Sequence, residues 1–350
     1  SSTQMDNFNR RLEQLHLVSC NRNSFNASVK KDGKDVPLQE VASAVTQHLG
    51  GSANTTDEEK RKTAAEVEEG CKQDDIAYWS DGFINNGSVH TRGARDSSFT
   101  TMGLSAGVDY RLSPTAIAGI GFGYSNDRSD IGDNKTRSDG DALGIATYLS
   151  LNLAPKVFVD GLLGYNRISF DSRRYITGSN DDYARGSRDA DQLFASLTTS
   201  YEYRQGPLSL TPYGRLNAST TRLDAFRERG GGIYGLSYEE QRQQTVTSFL
   251  GLRTGYDVAT RLGVMTPKIG LAWGHNFSGS SDYKMRYTDQ GEDGLLYRLK
   301  PDPLDSDFAN LDLGVDFNLG RAWQMGFSYK TALGSDERND SFRIGINGKF

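Results

Sequence analysis

From residue 76 to residue 350 the side chains alternate between apolar and polar with a period of two, in segment after segment. That period puts successive side chains on opposite faces of an extended chain, so it reads as strand. "IAYWSDGFINNG", "GLSAGVDYRL", "AIAGIGFGYS", "ALGIATYLSLNL", "VFVDGLLGYNR", "QLFASLTTSYEY", "LSLTPYGRLNAS", "TVTSFLGLRTGYDV", "VMTPKIGLAWGHNF", "FANLDLGVDFNL", "WQMGFSYKTAL" and "SFRIGINGKF" carry it, twelve in all. The last puts Phe342, Ile344, Ile346, Gly348 and Phe350 on one face and Ser341, Arg343, Gly345, Asn347 and Lys349 on the other. It ends on an aromatic in mid-pattern. Chain ends fray unless something pairs them, so a partner for this last strand is expected.

The connections alternate in length. Short turns are expected at 111–114, 153–156, 204–207, 257–262 and 319–322, and longer polar loops at 90–97, 127–138, 171–188, 223–238, 278–303 and 334–340. Short turns on one rim and long loops on the other are the pattern of an outer-membrane barrel. The predicted fold class is therefore all-β, a 12-stranded antiparallel transmembrane β-barrel with an N-terminal α-helical segment. An even count puts both barrel termini on the short-turn, periplasmic rim. The alternative is a soluble β-sandwich, which would bury the apolar face. It accounts less well for the even count and the loop asymmetry, and leaves open edges that a barrel removes.

The face assignment follows. Leu143, Ile145, Leu149, Leu193, Leu197, Leu313, Phe317 and Phe327 are expected to meet lipid. Asp109, Glu202, Arg215, Arg253, Lys268, Asp312, Asp316, Lys330 and Arg343 are expected to line a hydrated lumen.

Composition agrees without deciding the matter. A net charge of −5 argues against general nucleic-acid binding. Mean hydropathy is −0.60, and no run nears the roughly 18 to 20 apolar residues of a membrane helix. That test is blind to strands that are apolar only at every second position. Cys20 and Cys71 match no zinc spacing. A disulfide between them is expected if the chain is exported, and two reduced thiols if it is not. No metal or cofactor is expected. The opening "SSTQMDN" has neither the basic nor the apolar region of a signal peptide, so further sequence is expected upstream of it in an exported protein.

Residues 1–75 read as helical. "TQMDNFNRRLEQLH" puts Met5, Phe8, Leu12 and Leu15 on one face, with Arg10, Arg11 and Glu13 elsewhere. "DVPLQEVASAVTQHLGG" and "TTDEEKRKTAAEVEEGC" read as two more helices bracketed by the cysteines. Three regions are expected: residues 1–16 as a linker helix in or near the lumen, 17–75 as a helical insertion serving as plug or periplasmic cap, and 76–350 as the barrel.

The aromatic end of "SFRIGINGKF" resembles the assembly signal of bacterial outer-membrane proteins. Through Phe342, Ile344, Ile346 and Phe350 that resemblance implies recognition by the barrel-assembly machinery. A short helix before twelve strands, "GLSAGVDYRLSPTAIAGIGFGYS" and the ending "GINGKF" are similar to the translocator domain of the autotransporters of type V secretion. The resemblance implies a barrel that inserts in the outer membrane and enables export of an N-terminal passenger. It also implies a lumen helix left behind after transit. "MDNFNRRLEQL" is similar to the linker of serine-protease autotransporters, where Asn attacks its own main chain. Asp6 stands at that position here and Asn7 follows. Asp cyclises far less readily, so self-cleavage at Asp6–Asn7 is expected to be weak.

Other constellations point elsewhere only faintly. A barrel enzyme would need a Ser–His pair; His275 has Ser278, Ser280 and Ser281 nearby but no evident acidic orienter, and it reads as an interface residue above Trp273. Asp127, Asp130, Asp133, Asp139 and Asp141 could hold calcium or cations that bridge lipopolysaccharide, but their spacing fits no calcium loop and they read as a solvated loop. "RERGGG" and "GSNDDYARGSRDAD" read as exposed loop tips. The mixed lumen charges allow a porin-like channel. More simply they hold the helix, with Arg10 and Arg11 meeting Asp109, Glu202, Asp312 or Asp316. Expected partners are outer-membrane lipid and lipopolysaccharide, the assembly machinery and the chain's own passenger, with no nucleic acid, around a monomer.

Overall fold

A computed structural model describes residues 2–16, 24–25, 30–31, 34–35 and 75–349, the last apart from stretches at 92–96, 133–135, 177–182, 262, 278–282, 291–294, 300–305, 320–322 and 335–336. It opens with a helix, α1 (Ser2–Leu15). Twelve long strands follow: β1 (Ile76–Thr91), β2 (Ser97–Ser113), β3 (Ala116–Ile131), β4 (Thr136–Ala154), β5 (Val157–Tyr175), β6 (Tyr183–Tyr201), β7 (Leu208–Leu223), β8 (Gln241–Tyr256), β9 (Gly263–Asn276), β10 (Asp307–Leu319), β11 (Trp323–Leu333) and β12 (Glu337–Lys349). Each pairs antiparallel with the next. β12 then pairs with β1, from Glu337 opposite Thr91 to Ile346 opposite Gly82, and closes the barrel. Closure leaves the long strands no free sheet edge, the usual route to aggregation.

The outer face is apolar as the alternation predicts. Leu143, Leu163, Leu193, Leu250, Leu271 and Phe342 all stand exposed on it. Buried against lipid, such a face is stable; in water it would be a very large apolar patch. Short turns join β2 to β3, β4 to β5 and β6 to β7. Lys156 and Gly206 adopt positive φ, 68° and 58°, so that the chain reverses in very few residues.

The strands run further than the apolar pattern suggested. Segments 127–131 and 136–138, 171–175 and 183–188 were expected as loop and are strand. Their side chains are mostly polar on both faces, so hydrophobic alternation stops while the backbone ladder continues. The result is an uneven rim. β4, β5 and β6 have 19 residues each, against 13, 11 and 13 in β10, β11 and β12. At a tilt of about 45° that is roughly 44 Å of wall on one side and 26 Å at the shortest strand. An apolar band is about 25 Å tall, so the short wall barely spans it and the tall wall stands well clear.

Residues read as loop tips build a second, smaller sheet beyond the long-loop rim. Phe226–Arg227, Leu236–Tyr238, Tyr283–Tyr287 and Tyr297–Leu299 pair antiparallel in that order. Of the segment 17–75, Ser24–Phe25 pairs with the end of β12 and with Trp79 of β1, and Lys30–Lys31 pairs with Lys34–Asp35. Asp35, expected to open the first helix between the cysteines, is in strand instead; the rest of the two expected helices, and Cys20, Cys71 and Phe350, lie outside the described residues.

The luminal helix as candidate functional site

α1 lies inside the barrel, and its apolar face packs on one wall. Phe8, Leu12 and Leu15 are buried with Trp79 of β1, Ala146 and Tyr148 of β4, Leu162 of β5 and Phe194 of β6, and Met5 and Ile117 flank the cluster. Phe8 meets Trp79 edge-on at 5.9 Å between ring centres, a favoured aromatic geometry. These rings point inward, so the lumen is less polar than the alternation alone implied. Inward glycines make room for them. A Cβ at Gly121 would stand 2.5 Å from the Phe8 ring, and one at Gly119 would collide with Tyr148.

The polar face of α1 is held by wall residues at several heights. Gln4 Nε2 donates to the Ala142 carbonyl at 3.5 Å. Asn7 Nδ2 donates to Ser105 Oγ at 3.2 Å, while its Oδ1 accepts from Arg343. Arg11 Nε donates to Asp109 Oδ2 at 3.1 Å, and Tyr148 donates to the other oxygen of the same carboxylate. Trp79 Nε1 donates to the Tyr148 hydroxyl at 2.6 Å. Both Asp109 and Arg11 are buried. A buried carboxylate is tolerable because its charge is paired and its oxygens are hydrogen-bonded. Glu13 receives Arg215 at 2.9 Å and also Arg253.

His16, just past α1, bridges two carboxylates, Glu202 at 2.6 Å and Asp160 at 3.0 Å, and stacks on Phe158. Burial opposes a charge on His16, but hydrogen bonds to Asp160 and Glu202 outweigh it and push its pKa up to about 9.

These contacts fix the direction of the helix. His16 sits beside residues next to the short turns, and Gln4 sits further up at the level of Ala142. The N-terminal end of α1 therefore points to the long-loop mouth.

The charge pairing differs in part from the sequence expectation. Arg11 meets Asp109 as expected, but Glu202 goes to His16. Arg10 acts electrostatically on Asp81 and Asp312. Lys268 pairs with Asp316, and Lys330 stands opposite Asp312 on the neighbouring strand. Arg343 reaches Asp81 at 3.6 Å and stacks on Phe83. Asp6 is half-buried, and Asn7 is buried with both ends of its amide engaged. Asp81, Asp160, Tyr148 and Trp79 were missed. The parity of their strands puts each on the lumen side, so the signal was present for all four.

At the mouth, the small loop sheet is clamped to the inner face of the tall wall. Arg174 forks onto the buried Glu228 carboxylate at 3.0 and 2.6 Å, and Arg185 and Arg229 exchange backbone hydrogen bonds. Phe226 lies over Gly186 and stacks on Tyr238 at 4.7 Å. "RERGGG" is therefore an anchor at Glu228 rather than merely a tip. Elsewhere on the outer face, His275 contacts Trp273 and Phe277 rings and bonds Asp307 at 2.9 Å. Asp307 is an orienter the sequence reading did not find. Ser278, Ser280 and Ser281 lie outside the described residues.

A family model described as autotransporter beta-domain matches residues 78–330. Among curated proteins, an extracellular serine protease of Serratia marcescens is 25% identical over 297 residues, which is 83% of this chain and 27% of the relative. This chain thus spans about a quarter of that relative's length. Among solved structures, the translocator domain of autotransporter NalP from Neisseria meningitidis superposes with a TM-score of 0.62 at 16% identity, covering 89% of this chain and 98% of that one. The β domain of the Bordetella autotransporter BrkA gives 0.55 at 17% identity, covering 79% and 100%.

Proposed function

This chain belongs to the autotransporter β-domain family, and we propose that its barrel serves in the outer membrane as the export unit for a passenger upstream of α1. One observation carries the reading: α1 threads the lumen with its N-terminal end toward the long-loop mouth and its C-terminal end at the short-turn rim. A chain attached before Ser1 would leave on the long-loop side. That side is then the cell exterior, and both barrel termini are periplasmic.

No bond chemistry is needed for this work. Asn7 is tied to Ser105 and Arg343, and Asp6 is a poor cyclising residue, so the link to the passenger persists at Asp6–Asn7. Assembly proceeds through the β12 signal, Phe342, Ile344, Ile346 and Phe350, read by the assembly machinery, and yields a monomer. A pore-forming role is the second reading. It fits less well, because Phe8, Leu12 and Arg11 occupy the lumen that a channel would leave open to water.

The test is a fusion carrying a signal peptide and a small reporter domain ahead of Ser1. The expected result is a reporter digested by protease added to intact cells. A reporter that stays protected while the barrel is inserted would sink the export reading.

A further inference from the structure

The outward face of the tall wall, between Tyr124 and Tyr165 below and the paired Tyr175 and Tyr183 above, carries charges in an order that a sheet alone does not favour. Strand register sets Arg137 of β4 directly opposite Arg173 of β5, and Arg173 directly opposite Arg185 of β6. One rung below, Asp139 stands opposite Asp171. All five share the outward parity of exposed Leu143, Leu163 and Leu193. Like charges directly opposite one another destabilise an antiparallel pair.

Neighbours answer these charges only in part. Asp130 pairs with Arg137 at 2.8 Å, Arg128 with Asp139 at 3.0 Å, and Arg173 stacks on Tyr183. The Arg185 guanidinium and the Asp171 carboxylate stand exposed, with no ion-pair partner among the described residues. A row of guanidiniums above a row of carboxylates is complementary to phosphates that carry divalent cations.

Height narrows the ligand. Tyr124 and Tyr165 mark the lipid boundary on this wall, with hydroxyls turned up to Asp141 and Asp191. Arg137 lies six residues along the ladder from the Tyr124 rung, roughly 14 Å higher at a 45° tilt. A phospholipid headgroup zone is only about 5–8 Å deep. A glycolipid that carries phosphates on sugars reaches further.

We propose that Arg137, Arg173 and Arg185, with Asp139 and Asp171 beneath them, form a binding site for the phosphorylated glycolipid of the outer leaflet, its phosphates on the arginines and divalent cations bridging to the carboxylates. The site rests on the outer-membrane reading but not on passenger export.

The test uses the full chain folded in detergent, with two probes: bisphosphorylated lipid A and its dephosphorylated form, each with magnesium. Native mass spectrometry measures retention, and heat-shifted gel mobility confirms folding. R137Q/R173Q/R185Q is expected to bind lipid A roughly 100-fold more weakly, and D139N/D171N to lose the effect of chelating magnesium. R338Q on the short wall is expected to bind like wild type. Wild-type retention by the triple variant overturns the proposal. So does equal retention of dephosphorylated lipid A by the unmodified chain, an arm that stands even if the triple variant fails to fold. Displacement of lipid A by inorganic phosphate at equal concentration would make the site one for the free anion and overturn it as well.

Discussion

The two sides of the barrel are built from the same alternation and do different things. β4, β5 and β6 present rings inward, with Tyr148, Leu162 and Phe194 forming the seat of α1. Above the lipid boundary they keep going, and the loop sheet is anchored to them through Arg174 and Glu228. β10 to β12 end near the boundary and present charges inward: Asp312, Asp316, Lys330 and Arg343 face one another or the polar side of α1. The tall wall therefore seats the apolar face of the helix, while its charged side chains and His16 are met by Asp109, Asp160, Glu202, Arg215 and Arg253 spread around the lumen. Packing is insensitive to salt and pH, whereas exposed charge is screened and paired charge is titrated. The contrast can be broken at several points.

The largest effect is expected from removing α1 altogether. A chain lacking residues 1–16 is expected to show single-channel conductance several-fold above the intact chain in a planar bilayer. Unchanged conductance would mean that α1 does not block the lumen.

Next comes the buried pair. Asp109→Ala takes from buried Arg11 its carboxylate partner, a change that costs about 3–5 kcal/mol when a buried pair loses one member. A large fall in the midpoint of the heat-shifted gel transition is expected, with D109A/R11M recovering much of it.

The packing wall is probed by Gly121→Val, which overfills the Phe8 seat at a cost of about 1–3 kcal/mol. Gly161→Val on β5 is the control, since a Cβ there meets nothing within 4 Å. Equal effects would show that the seat is not specific.

A smaller effect is expected from pH. The folded pKa of His16, about 9, lies above its ordinary value near 6.5. Its contribution is therefore complete below about pH 6.5 and is lost as pH rises through 9. Conductance of the intact chain is expected to rise over that interval, and His16→Gln to show no such step. Smallest is Phe350 deletion, expected to lower insertion yield in cells while leaving the thermal midpoint of folded barrels unchanged.

Much of this architecture could be read from one sequence because a membrane barrel enforces a local rule. Every second residue must satisfy lipid, so Leu143, Ile145, Leu149 and their equivalents announce strand, face and register without a partner in view. The amphipathic run from Met5 to Leu15 likewise announced α1, and the charge at Asp109 announced something cationic in the lumen. The alternation also fixed the parity of Trp79, Tyr148 and Asp160. Parity says which way a side chain points but not what it meets, and inward aromatics look like any others until a helix occupies the space between them.

Three things were decided only in three dimensions. The tall wall exists because β3 to β6 keep pairing through residues polar on both faces, outward Arg128 and Arg173 and inward Ser138 and Arg174 among them, where hydrophobic periodicity is silent and only the ladder speaks. The loop sheet joins Phe226 to Tyr238 and Leu236 to Tyr287 across long separations, so its pairing has no local signature. The choice of His16 for Glu202, and of Glu13 for Arg215 and Arg253, depends on the depth and rotation of α1 in the lumen. The sequence by itself determined α1, the twelve barrel strands, their faces and the closed barrel, because alternation is enforced residue by residue. The tertiary structure decided which charges meet and where the walls stop, because those depend on distances between segments far apart in the chain.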